Sequence, residues 1–200
     1  MKSIIIGIPS FFMFSCSNVK DRSDGAVAVI DSVSVSVTKS QSVKPIYVSK
    51  NPNACNPFNK IDYDRVIAYD YGREGEDSYL QIVDKKGNLD ATVIQQKDLT
   101  QQQVDDITNY LGKKETYGET PAWCFKPHMG IVFYNGQKII AHISICLECN
   151  LLKSSIEIPA TSFAKMNEGA KNEYPLEGFS KEGRTKLNAL CKELQFSHCR

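Results

Sequence analysis

The chain has almost no excess of charge: 24 Lys and Arg stand against 23 Asp and Glu over 200 residues. It also lacks a dense basic run, and the two absences together argue against a nucleic-acid partner. There is no G-x-S-x-G, no P-loop and no H-E-x-x-H, so no nucleophile elbow, phosphate cradle or zincin helix is on offer. No internal repeat is evident. Beyond the first 15 residues, no apolar stretch approaches the roughly 20 residues that a helical membrane span needs.

What is present starts with 1-MKSIIIGIPSFFMFSC-16. Lys2 precedes an apolar run from Ile4 to Phe14, which is too short to span a bilayer and reads as a signal peptide covering residues 1–15. A small residue, Ser15, directly before Cys16 and after a bulky apolar one resembles the bacterial lipobox. On that resemblance Cys16 is lipidated with diacylglycerol and a further acyl chain such as palmitate, an anchor in which each buried methylene contributes about 0.8 kcal/mol. The expectation is a lipoprotein of the cell envelope, joined to the membrane through its lipid. Ser17 is compatible with sorting to the outer membrane, facing the periplasm.

Residues 16–54 carry the lipidated Cys and then a Ser- and Val-rich tether, without an aromatic until Tyr47. Within it 33-VSVSV-37 alternates as a strand would, but no turn signal flanks it. A domain is expected over residues 55–200. Its class is α+β, a single domain with an antiparallel sheet and two packed helices.

The strand evidence is periodicity of two. In 61-IDYDRVIAYDY-71, Tyr63, Arg65, Ile67, Tyr69 and Tyr71 share one side and Val66 and Ala68 the other. Two further strands, 79-YLQIVD-84 and 89-LDATVI-94, are expected around the turn 85-KKGN-88. In 99-LTQQQVDDITNYLG-112 the period changes to 3.6: Thr100 and Gln103 form a capping box, Val104, Ile107 and Leu111 share a face, and Gly112 ends the helix. Asp105 and Asp106 fall on the solvated side. Asn135-Gly136 calls for a type I′ turn that pairs Tyr134 with Gln137, and it puts Ile139, Ala141, Ile143 and Ile145 on the core face. A strand 154-SSIEIPA-160 and a helix capped by Ser180, with Leu187, Leu190, Cys191 and Leu194 as its stripe, complete the reading.

The chemistry lies in the cysteines. Besides Cys16 there are six: Cys55, Cys124, Cys146, Cys149, Cys191 and Cys199. An even number in an oxidising compartment favours disulfides, and the hairpin brings Cys124, Cys146 and Cys149 to one end. Three readings stay open there. One is a structural disulfide among those three, with the remaining cysteines pairing in some order. Another takes Cys124, His128, Cys146 and Cys149 as C-x3-H-x17-C-x2-C, a spacing that suits tetrahedral Zn²⁺. The last uses Cys146 and Cys149 as the redox pair of a thiol-disulfide oxidoreductase, although the motif ends a strand rather than opening a helix. His142 reads as a satisfied sheet histidine and His198 as solvated. Covalent haem is excluded in its usual motif by Asn150.

The segment 124-CFKPHMGIVFYNGQKIIAHISICLECN-150, with the LTQQQV helix before it and GFSKEGRTKLNALCKEL after it, resembles an uncharacterised lipoprotein family common in Bacteroidetes. That family has C-[FY]-x-P-[RH], an apolar I-V-F-Y strand and I-C-x-x-C. The likeness covers about residues 60 to 196 and is concentrated in 124–150. Met129 stands where members carry a second His or another polar residue. The resemblance implies an envelope location and a shared cysteine site; it implies no activity, and the ligand expected is a protein or small molecule of unknown kind.

Overall fold

A computed structural model describes residues 51, 53–72 and 81–199. The expected signal peptide, Cys16, the segment 33-VSVSV-37 and nearly all of the tether lie outside the described residues. Described elements run β1 (Arg65–Tyr71), β2 (Val93–Asp98), α1 (Gln101–Leu111), β3 (Tyr117–Glu119), β4 (Met129–Asn135), β5 (Lys138–Cys146), β6 (Leu151–Ser154), β7 (Lys165–Met166), β8 (Tyr174–Pro175), β9 (Gly178–Phe179) and α2 (Lys181–Glu193). An antiparallel five-stranded sheet has the order β2-β1-β4-β5-β6, and two small pairs, β3-β9 and β7-β8, flank it. The class is α+β in a single domain, as the sequence indicated.

Both helices cover one face of the sheet. Val104, Ile107 and Leu111 of α1 and Leu187, Cys191 and Leu194 of α2 join Val66, Ala68, Ile131, Phe133, Ala141, Ile143 and Ile145 in the main core. Phe133 stacks on Phe58 and meets Tyr63 edge-on, at 5.6 and 5.2 Å between centroids. Burying one such ring contributes about 1.5–3 kcal/mol. The opposite face carries a second apolar cluster: Ile67, Tyr69, Tyr71, Val132 and Tyr134 are covered by Ile82 and Val83. There the hydroxyls of Tyr69 and Tyr134 meet at 2.7 Å, so burial raises no unmet polar group at that pair.

The capping box of α1 forms as expected: Thr100 Oγ1 accepts from the Gln103 N–H, and the Gln103 side chain accepts from the Thr100 N–H. Gly112 ends the helix for a different reason from a left-handed turn. Its φ is −83°, and a Cβ there would lie 2.5 Å from Cys55 Cβ, so the site needs the absence of a side chain. Asp105 accepts from the side chains of Asn51, Asn53 and Gln101, which ties the start of the described chain to α1. Ser180 caps α2 by accepting from the Gly183 N–H at 3.1 Å.

Three expectations about strands need correction. The strand expected over 89–94 sits later, at Val93–Asp98, because Asp90 accepts the Thr92 N–H at 2.8 Å and holds residues 90–92 in a turn. Around 84–88 only a Val83–Leu89 bridge forms, closed by Asp84, which accepts from the Lys86 and Asn88 N–H groups; residues 79 and 80 lie outside the described residues. The strand expected over 154–160 is β6 at Leu151–Ser154 instead, because 159–162 winds into a 3-10 turn starting at Pro159.

The hairpin register is shifted as well. Asn135 pairs with Lys138, so the two-residue loop is Gly136-Gln137, and a bulge follows between Phe133 and Tyr134. Gly136 takes φ 57° while Gln137 does not join the positive-φ residues, which is the sign pattern of type II′ rather than type I′. Ile140 is the extra residue of the bulge. As a result Ala141, Ile143 and Ile145 face the main core as expected, but Ile139 packs on the second face and Ile140 on the first.

Candidate functional site

Strand β5 ends at Cys146, and a tight turn over Leu147–Asn150 reverses the chain into β6. Asn150 closes the turn at φ 55°, a left-handed conformation that Asn tolerates. The loop from β3 is laid against this turn by the Ala122 N–H, which donates to Cys149 O at 2.9 Å. That contact sets Cys124 beside Cys149, and the two form a disulfide with Cα atoms 5.5 Å apart. Cys146 stays a free thiol, fully buried with Cys149 against Phe125. Lys153 covers the Phe125 ring, its ammonium 4.4 Å from the centroid.

The two ends of this small cluster differ in access. Cys146 and Cys149 have no exposed surface, whereas Cys124 is exposed and its neighbour Trp123 is wholly in solvent. The Cys149 N–H donates to Cys146 Sγ at 3.2 Å. Burial pushes the Cys146 thiol above its ordinary value, and the backbone N–H groups of Cys149, Lys126 and Glu148 act in the opposite direction by stabilising a thiolate.

The four residues read as a zinc set are not gathered. Cys124 and Cys149 are bonded to each other, so neither sulfur is a thiolate ligand. His128 Nδ1 is turned to Tyr71 O at 3.1 Å, which requires the proton on Nδ1. Among the described residues no group of three or more His, Cys, Asp or Glu is arranged to hold a metal ion. The structure brings Cys124, Cys146 and Cys149 together and sends His128 elsewhere, because its ring is claimed by β1 and by the C-terminal segment.

That second constellation was not foreseen. The His128 and His198 rings stack at 3.8 Å and 10°, beside the buried carboxylate of Asp70. Asp70 accepts from the Ser197 N–H and hydroxyl, both at 2.7 Å, while the Cys191–Cys199 disulfide ties the same segment to α2. Burial, and then the neighbouring His198, hold His128 below the usual imidazole range. His198 is therefore half-buried rather than solvated. His142 is also corrected: its buried Nδ1 has no partner among the described residues, and burial lowers its pKa. One signal for Asp70 was readable: it shares its parity with Val66 and Ala68, so alternation placed a carboxylate on the core face.

A wider groove of about 490 Å³ runs between α1 and α2. Ile107, Tyr110, Leu187 and Leu190 make its apolar floor, and Lys186 lies 4.7 Å over the Tyr110 ring. Lys113, Asp106 and Glu193 stand at its rim, so it offers charges of both signs around an apolar centre.

In comparisons with known proteins, the chain matches no family model, no curated relative and no solved structure.

Proposed function

We propose that this chain is a lipid-anchored protein of the bacterial cell envelope, fixed through Cys16 to the outer membrane on its periplasmic side, with a binding or structural role. The observation that carries the reading is the pair of disulfides, Cys124–Cys149 and Cys191–Cys199, in a domain whose core already holds some two dozen buried residues. Disulfides persist in oxidising compartments and are rare where glutathione keeps thiols reduced. The apolar run before Cys16 and the likeness to envelope lipoproteins agree with that address. In this reading the cysteine end is a staple, and a protein or small-molecule ligand meets the domain at the groove between α1 and α2.

Expression in a Gram-negative host with and without Cys16→Ala tests the address. The wild type is expected in the membrane fraction with a mass raised by acyl chains, and the variant in soluble form without them. A variant that stays membrane-bound, or a wild type without lipid, overturns the anchor. Native mass of the oxidised domain tests the staple: two hydrogens lost per bridge support it, and a mass raised by one zinc overturns it.

A further inference from the structure

We propose that Cys146 is an internal exchange thiol, which moves the Cys124–Cys149 bond to Cys146–Cys149 and releases Cys124 as an exposed thiolate that reacts with the disulfide of a second protein. The inference rests on the oxidised Cys124–Cys149 pair of the envelope reading and goes beyond its role as a staple.

Three observations carry it. First, the free thiol lies against the bonded pair: Cys146 Sγ accepts from the Cys149 N–H at 3.2 Å, and the Cys149 sulfur is three covalent bonds from that nitrogen. Second, the Cys149 N–H points at Cys146 Sγ and is the hydrogen bond that a thiolate there would keep, while burial beside Phe125 holds the resting thiol protonated, so the attack is expected to be slow at neutral pH and to speed up as pH rises. Third, access is divided between the partners: the two inner sulfurs are shut off from water, while Cys124, between exposed Trp123 and buried Phe125, is open to a macromolecule. A leaving thiolate at Cys124 is hydrated as it forms, and Trp123 provides an aromatic surface beside it for a partner to cover.

The step balances without an added oxidant. Cys146 gives its proton to hydroxide that reaches it when the exposed Cys124 end of the cluster opens locally, and its sulfur attacks Cys149 Sγ. The new bond is Cys146–Cys149, the broken one is Cys149–Cys124, and the electron pair leaves on Cys124. That thiolate then attacks a partner disulfide, forming a mixed disulfide and releasing the partner's other sulfur as thiolate. Among Cys124, Cys146 and Cys149 one internal disulfide is present at each stage, and the mixed disulfide that Cys124 forms replaces the partner bond that opens.

The full oxidised chain, incubated without reductant at pH 7 to 9 with N-ethylmaleimide and mapped under non-reducing conditions, tests this. The expected result is alkylation at Cys124 together with a Cys146–Cys149 bridge, at a rate rising about tenfold per pH unit while the attacking thiol remains protonated. With oxidised glutathione in place of the maleimide, glutathione is expected on Cys124. Cys146→Ser and Cys146→Ala should both lose the two signals, and Cys191–Cys199 should stay intact as the internal control. A Cys124–Cys149 bridge that never yields Cys124, with Cys146 labelled only after denaturation, overturns the exchange alone. Scrambling that includes Cys191–Cys199 also overturns it, by making the reaction one of unfolded chain. A native map with no Cys124–Cys149 bridge overturns both the exchange and the staple.

Discussion

The two described disulfides solve different problems. Cys191–Cys199 spans eight residues and has Cys191 inside the main core, where it closes the C-terminal segment over Asp70. Cys124–Cys149 spans 25 residues, joins two loops at the far end of the hairpin, and has one sulfur in solvent and a free thiol beside the other. In the loop-entropy picture the longer closure stabilises more, about 3.5 kcal/mol against about 2.5. The bridge that contributes more to stability by that measure is thus also the one open to chemistry. Stability and inertness come apart here, since access and neighbouring thiols, not loop length, decide which bond can exchange.

The largest expected effect comes from deleting each bridge. Cys124→Ser/Cys149→Ser should lower stability by about 3.5 kcal/mol and Cys191→Ala/Cys199→Ala by about 2.5 in non-reducing urea titrations. A reversed order would show that the core position of Cys191 outweighs loop length, and would break the comparison. Next comes the contact that the shorter bridge protects. Asp70→Ala removes the acceptor for two Ser197 hydrogen bonds in a buried setting and should cost about 1–3 kcal/mol; a neutral result would mean that the disulfide alone holds the segment.

The smallest effect concerns pH. His128 is held below the ordinary imidazole value in the folded state, so the unfolded chain takes up its proton first. Its contribution is whole above that ordinary value, near 6.5, and is lost as pH falls below it. Stability should therefore drop on acidification from pH 7 to 5, and His128→Gln should flatten the drop, leaving the part due to His142, whose shift has the same direction. An unchanged slope in His128→Gln would remove the stacked pair from any account of pH response.

Much of this was legible where chemistry is local. Thr100 and Gln103 announced α1 because a capping box is written within four residues, and Ser180 did the same for α2. The gathering of Cys124, Cys146 and Cys149 followed from the hairpin, but their pairing did not, because one bulge residue and the path of the 120–124 loop decide it. β2 was misplaced because 93-VIQQKD-98 is a polar edge strand whose half-buried alternation, Val93, Gln95 and Lys97, carries no apolar signal. His128 was read as a ligand because its true partners, Tyr71 and His198, lie 57 and 70 residues away in sequence.

Trp123 is the single tryptophan of the chain and is fully exposed next to Cys124. Of the intrinsic fluorophores, which include nine tyrosines, it is the one that can be excited selectively at the red edge of the aromatic band, and it stands outside the core. Its emission is already that of a hydrated indole in the native state, so melting of the sheet and helices changes it little, whereas opening of the neighbouring bridge changes its surroundings directly. Fluorescence and circular dichroism should then give transitions that do not coincide, and this mismatch would report where the probe sits rather than a populated intermediate.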